Sequence, residues 1–289
     1  MFKRAGPLAA VLLAALVLAP MSYASAQNAG KTLAMDFRTT VTIQGTPDTG
    51  VITGHAVGTP DKMRLDVKMK GTSAQVSPLA SDSTVSMIVT DTGKTIAYLD
   101  PKKNQYLRVR PAEMIAQAQQ MGGMKMDFTD TKAQVDSLGA GPVILGHPTS
   151  HYRITTGMTM TISAMGQQQI AKISSTNDSY YATDIKGTLN PFASMTGGDM
   201  ANMFGTTNKD FADKMKAASA KLPTGVPLRA TSSNTLTAQG QTRVTNSQAE
   251  VTSIKWVDVD PKAFEIPSTY TAVQLPTIGG AQGGAIPPK

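Results

Sequence analysis

Two short clusters carry the side chains best suited to chemistry, a group of methionines and a pair of histidines. Met121, Met124 and Met126 lie within six residues, and soft thioether ligands of this kind select copper(I). His147 and His151 are four residues apart, a spacing that suits two imidazole ligands for a transition metal when both lie on one helix face. Because a proline separates them and the second begins a predicted strand, we interpret them as histidines with ordinary hydrogen bonds. A metal site at these five residues is the alternative.

Methionine is over-represented in this chain, which has 17 of them against 7 phenylalanines and one tryptophan. Thioether side chains are flexible and polarizable, so they fill irregular cores and also suit surfaces that accept varied apolar shapes. We keep three interpretations: core packing, a lipid-accommodating surface, and copper ligation. The second predicts an apolar ligand site lined by Met114, Met121, Met195, Met200, Met203, Phe211 and Met215.

The sequence lacks the common catalytic signatures. It has no Gly-x-Ser-x-Gly elbow, no His-Glu-x-x-His pair and no phosphate-binding loop. Its cysteine count of 0 excludes cysteine nucleophiles and disulfides. We therefore expect no enzymatic activity and no cofactor. The net charge of +7 is moderate and no basic run is interleaved with aromatics, so we do not expect nucleic acid as a partner.

The N-terminus resembles a cleavable secretory signal. Lys3 and Arg4 precede a short apolar run from Leu8 to Leu18, and Ala24-Ser25-Ala26 gives a small-x-small cleavage pattern. The run is shorter than the roughly 20 apolar residues that a spanning helix needs. We predict a signal peptide at 1–26, one β-rich domain at 27–275 and a disordered Gly/Pro/Ala tail at 276–289. The expected location is the periplasm, with secretion as an alternative and no transmembrane segment after cleavage.

Alternation of apolar and polar residues dominates the middle of the chain. Leu33, Met35 and Phe37 begin one such series, and Met63, Leu65, Val67 and Met69 alternate with charged residues in another. A period of two indicates strands with one face in a core and one in water. The predicted strands are 33–43, 51–57, 62–70, 85–90, 95–99, 105–109, 152–163, 169–174, 180–185, 228–238, 242–250 and 253–259. Short turns between them favour antiparallel pairing.

Two segments have helical patterns. Pro111-Ala112-Glu113 begins the first, which ends near Met121 before two glycines. The second begins at Thr207 and carries an apolar stripe that includes Phe211 and Met215, and Pro223 ends it. The fold class is therefore mainly β (α+β): a curved antiparallel sheet or half-barrel with a few helices covering its concave face.

Three motifs resemble known families. The hairpin "TIAYLDPKKNQYLRV" (Thr95 to Val109) resembles one in periplasmic lipoprotein-carrier-like proteins. "ILGHPTSHYRIT" (Ile144 to Thr155) and "VDVDPKAFEIPSTYT" (Val257 to Thr271) resemble segments of a bacterial exported domain family of unknown function. The resemblance implies the open half-barrel of LolA/LolB-like carriers, in which the cavity takes acyl chains. It implies no catalytic residues.

The expected function is that of a periplasmic or extracytoplasmic binding or carrier module for an apolar ligand, such as a lipid or acyl chain. One alternative is a methionine-rich periplasmic copper-handling protein. Another is an envelope structural or interaction protein that has no ligand and contacts other envelope proteins.

Overall fold

The computed structural model describes residues 31–47, 49–59, 61–71, 84–91, 94–110, 124–164, 167–185 and 209–273. It is mainly β, and its strands form one open curved sheet. The strands are β1 (Thr32–Ile43), β2 (Thr49–Gly58), β3 (Met63–Lys70), β4 (Thr84–Thr90), β5 (Thr95–Asp100), β6 (Gln105–Val109), β7 (Met124–Ala140), β8 (Thr149–Ala164), β9 (Gln167–Ala182), β10 (Val226–Ala238), β11 (Gln241–Val257) and β12 (Thr271–Ala272).

The twelve strands are ordered β12-β6-β5-β4-β3-β2-β1-β11-β10-β9-β8-β7. Every neighbouring pair is antiparallel except β12 and β6, which are parallel. The predicted antiparallel meanders are therefore confirmed on both sides of β1. The two meanders are joined by the pairing of β1 with β11, in which Leu33 lies opposite Trp256.

Several strand predictions need correction. The segments predicted at 169–174 and 180–185 are one strand, β9, and those at 242–250 and 253–259 are one strand, β11. The middle of β9 is polar on both faces, which hid its alternation, whereas a bulge at Thr252 interrupts the alternation of β11. Neither strand contains a proline or glycine that would end it. Strand β7 was not predicted, because its irregular alternation lies beside a methionine cluster and a glycine pair.

Directly opposed residues in paired strands share a face of the sheet, so the register assigns each side chain to one of two faces. We call the side that carries Leu33, Met35 and Phe37 the apolar face, and all three residues are buried as predicted. One row on this face crosses seven strands and contains Ile254, Met35, Ala56, Leu65, Met87, Tyr98 and Leu107. The opposite side, which carries Asp36, Arg38 and Thr40, is the polar face.

A glycine in β2 makes room for the largest side chain of this core. Gly54 lies between Phe37 on β1 and Val67 on β3. A Cβ atom at this position would lie 2.7 Å from Phe37 Cε1 and 3.0 Å from Val67 Cγ1, well inside the separation of about 3.5–4.0 Å between carbons in contact. The aromatic ring therefore occupies the space that a side chain would need.

The segment after β11 covers part of the polar face. A 3₁₀ turn at Pro261–Phe264 begins where the side chain of Asp260 accepts a hydrogen bond from the Lys262 amide. Phe264 is buried, and Ile266 and Tyr270 pack against a small apolar cluster of Ile88, Ala97 and Leu99. Beyond this cluster the chain pairs with β6 as β12. The chain's own C-terminal part thus covers part of the polar face of β3–β6.

The curvature of the sheet follows from the length of the connection between β6 and β7. β6 and β7 are ten strand positions apart and run in the same direction, so the chain leaves β6 and enters β7 at opposite ends of the sheet. In a flat sheet these points would be roughly 70 Å apart, given strand spacings of about 4.8 Å and rises of about 3.3 Å. The chain from Val109 to Met124 reaches roughly 50 Å at most. The sheet must therefore curl to bring these corners together.

Of the predicted helices, the second is confirmed as α1 (Lys209–Ser219). Phe211 and Ala218 are buried and Met215 is partly buried, as its stripe predicts. The first predicted helix, 111–121, lies outside the described residues, so the cover of a concave face by several helices stays a prediction. Within the described ranges, no helix has both the length and the apolar character needed to cross a bilayer.

Candidate functional site

The predicted apolar site is described only at α1. Phe211 is fully buried and forms a cluster with Phe128 of β7 and Met158 of β8. Met215 packs on this cluster together with Met160 and Ile173. Phe211 is therefore an anchor of α1 on the sheet and has no surface left for a ligand. Five further residues of this predicted site lie outside the described residues, namely Met114, Met121, Met195, Met200 and Met203.

Polar contacts at the first turn of α1 fix the helix on β7. Asp210 accepts a hydrogen bond from Thr131 Oγ1 at 2.8 Å and forms an ion pair with Lys214 Nζ at 2.7 Å. Lys214 also donates to the Thr131 carbonyl. The bond from Lys214, followed by the one from Thr131, lowers the pKa of Asp210. These contacts are exposed, so the buried Phe211 contributes most of the docking energy.

The apolar face also carries partly exposed side chains that pack against its buried centre. Its fully buried side chains include Leu33, Met35 and Leu65. The partly buried side chains packed against them on the same face are Ile52, Met87, Tyr98, Ile254 and Trp256. Burial raises the pKa of Tyr98 from its ordinary value of 10.0, further away from physiological pH, so the hydroxyl is neutral. These partly buried side chains, hereafter the apolar border, offer uncharged and largely hydrocarbon surface.

The described metal-ligand candidates lie towards opposite ends of the β7–β8 pair. Met124 and Met126 lie at its start, opposite Ala164 and Ile162, whereas His151 lies opposite Gly139 near its end. At about 3.3 Å per residue, this places His151 roughly 36 Å from the position of Met126 and roughly 43 Å from that of Met124 along the strand. The described backbone therefore does not bring these histidine and methionine positions together. Copper binding that includes Met121 stays a prediction, because this residue lies outside the described residues.

Each of the two histidines pairs with its own aspartate. His147 Nδ1 lies 2.8 Å from Asp184 Oδ2 in a tight turn, and His151 Nε2 lies 3.3 Å from Asp178 Oδ1. The His151 ring also stacks on Tyr180, with ring centroids 4.4 Å apart. Across the described part of the chain, no three His, Cys, Asp or Glu side chains are arranged to hold a metal ion.

A polar cleft on the polar face was not anticipated from the sequence. It has a volume of about 440 Å³ and lies across β1, β11, β10 and β9. The residues that line it are Thr40, Thr42, Thr176, Asp178, Thr231, Ser232, Ser233, Asn246, Ser247 and Gln248. Eight of these ten residues present a hydroxyl, amide or carboxylate group on the polar face, whereas the side chains of Ser232 and Ser247 lie on the apolar face with Val41. The only sequence signal was the abundance of Ser and Thr in β9 and β10, and the register that assembles them is a tertiary property.

One ion pair sets the charge at the cleft. Arg153 of β8 donates two hydrogen bonds to Asp178, from Nε and Nη2, each 2.9 Å long. The hydrogen bond from Arg153 is the main cause of the lowered pKa of Asp178, and partial burial opposes it. Asp178 is therefore ionised at neutral pH, and Arg153 balances its charge. His151 Nε2 is near the same carboxylate but lacks the geometry of a hydrogen bond.

Comparison with known proteins does not assign the chain to a family. No protein-family model matches the chain, and no curated protein matches it either.

Proposed function

We propose that this chain is an exported binding module that takes an apolar ligand, such as a lipid acyl chain, against the apolar face of its sheet. The observation that supports this proposal is the apolar border. Its five side chains pack against a buried centre and still expose part of their surface. Exposed apolar surface beside a buried core is typical of sites for apolar ligands.

The size of α1 compared with the sheet is consistent with the proposal. A helix of 11 residues is about 16 Å long and 10 Å wide, whereas twelve strands extend over about 53 Å across the sheet. The helix contacts β7 and packs with residues of β8 and β9, near one edge of the sheet. Met87 and Tyr98 lie on β4 and β5, near the other edge. Within the described residues, α1 therefore does not cover the apolar border, whose side chains lie on β11, β2, β4 and β5.

The described charged groups support a binding role over a catalytic one. Asp36 pairs with His55 at 2.7 Å, Arg64 pairs with Asp66 at 3.0 Å, and Arg153 pairs with Asp178. Each of these pairs lies on the polar face of the sheet. The row of the apolar face that extends from Ile254 to Leu107 contains hydrocarbon, thioether and aromatic side chains, which suit an acyl chain.

The only tryptophan of the chain provides a direct test. Trp256 belongs to the apolar border, so an acyl chain bound there would lie near the indole. We would purify the processed protein, remove endogenous lipid and titrate it with dibrominated stearic acid, whose bromine atoms quench tryptophan fluorescence only at short range. The proposal expects saturable quenching that unbrominated stearic acid reverses by competition.

A matched variant moves the reporter to the other face. In Trp256→Phe with Lys255→Trp, the indole shifts by one residue onto the polar face, where Lys255 is exposed opposite Ala34. Stearic acid should still bind this variant, but the brominated form should quench it weakly. Equal quenching of both proteins, or no saturable quenching of the wild type, would refute the proposal.

A further inference from the structure

The polar cleft has a regular arrangement of hydrogen-bonding groups. One row across four strands contains Thr40, Gln248, Thr231 and Asp178, and the next contains Thr42, Asn246, Ser233 and Thr176. Neighbouring groups are about 4.8 Å apart across the strands and about 7 Å apart along them. Ser232 and Ser247 lie between the rows in sequence, but they belong to the row of Val41, so their side chains face the apolar side, where they bond each other at 2.7 Å.

Apart from Asp178, the side chains of these two rows are uncharged and contain groups that donate and groups that accept hydrogen bonds. Hydroxyl and amide side chains both donate and accept hydrogen bonds, so they match ligands that present many hydroxyl groups. The one carboxylate, Asp178, is bound on one side by Arg153, and the lining contains no lysine or arginine. The lining therefore offers no unpaired charge to a strongly charged ligand and no hydrocarbon surface to an acyl chain.

We propose that this cleft binds a neutral oligosaccharide, with sugar hydroxyls bonded to the two rows. The volume of about 440 Å³ lies within the range of roughly 300–1,000 Å³ that small-ligand sites occupy. The cleft is open, so a longer glycan can pass through it, and bridging water can complete bonds that side chains do not reach. This site lies on the opposite face from the apolar ligand, and its proposal is independent of that one.

Titration calorimetry with three defined probes tests the proposal: maltohexaose, cellohexaose and the hexamer of N-acetylglucosamine. We expect saturable binding of at least one of them to the processed protein. The cleft variant Thr231→Val with Gln248→Leu removes two directly opposed exposed polar groups and keeps side-chain size. Each lost hydrogen bond weakens binding several-fold, so this variant should bind the same probe about tenfold more weakly.

The control variant makes the same substitutions outside the cleft. Thr53→Val with Gln168→Leu changes an exposed position of β2 and one near the start of β9, and neither lines the cleft. It should bind the probe with unchanged affinity. The proposal is overturned if no probe binds at millimolar concentration, if both double variants lose affinity equally, or if an anionic hexamer of galacturonic acid binds more tightly than the neutral probes.

Discussion

Replacing Gly54 with alanine tests the packing of the apolar face at its tightest contact. The new Cβ atom would lie 2.7 Å from Phe37 Cε1 and 3.0 Å from Val67 Cγ1. The phenyl ring must move by about 1 Å to restore normal carbon contacts of about 3.5–4.0 Å. Because Phe37 is only 2% exposed, that movement strains its neighbours.

The expected cost follows from two opposing effects. Overpacking a core by one methyl group destabilises by about 1–3 kcal/mol, whereas alanine in place of a strand glycine gains roughly 0.5–1 kcal/mol. We therefore expect Gly54→Ala to lower the free energy of unfolding by about 1–2 kcal/mol. In a domain of this size, such a loss lowers the Tm by roughly 2–8 °C.

Urea unfolding followed by circular dichroism measures this effect, and Gly157→Ala is the matched control. Gly157 also lies inside a strand, but a Cβ there would be 3.7 Å from its nearest neighbour, the Ile173 carbonyl oxygen. The control should be as stable as the wild type or slightly more stable. Phe37→Leu should cost less in the alanine background than alone, because the two sites are in contact. Equal stability of the two glycine variants would refute this packing.

Two further predictions concern the ion pair at the cleft and the anchor of α1. Because the folded state lowers the pKa of Asp178, its contribution is complete above the ordinary value of 3.8 and is lost as pH falls through the folded value. Asp178→Asn should therefore lower stability at neutral pH and lose less stability than the wild type on acidification, as measured by urea unfolding at several pH values. Phe211→Ala should destabilise by about 3–5 kcal/mol and speed hydrogen exchange in α1, whereas the exposed Lys216→Ala should leave both unchanged. Unchanged exchange in α1 after Phe211→Ala would contradict its role as anchor.

The sequence predicts local features of this fold well and long-range ones poorly. Met63, Leu65 and Val67 alternate strictly with charged residues, so β3 and its buried face are predictable from a period of two. The stripe of α1 is predictable for the same reason at helical spacing. Strand β7 escapes such analysis because bulges between Thr129 and Lys132 and between Ser137 and Gly139 break its alternation.

The candidate sites depend on which strands pair and in which register. Nothing local indicates that Leu33 lies opposite Trp256, or that Thr231 lies between Gln248 and Asp178. A shift of one residue in either pairing would move these side chains to the other face. The apolar border and the polar cleft are therefore products of tertiary pairing. The abundance of apolar residues and hydroxyls predicts only that such surfaces can form.

The most direct test of the central claim is native mass spectrometry of the protein isolated from its own cell envelope without detergent. The account predicts a population one lipid or fatty acid heavier than the bare polypeptide, and release of that mass when excess stearic acid competes. A single species at the bare mass, before and after addition of stearic acid, would contradict the claim that the apolar face accommodates an apolar guest.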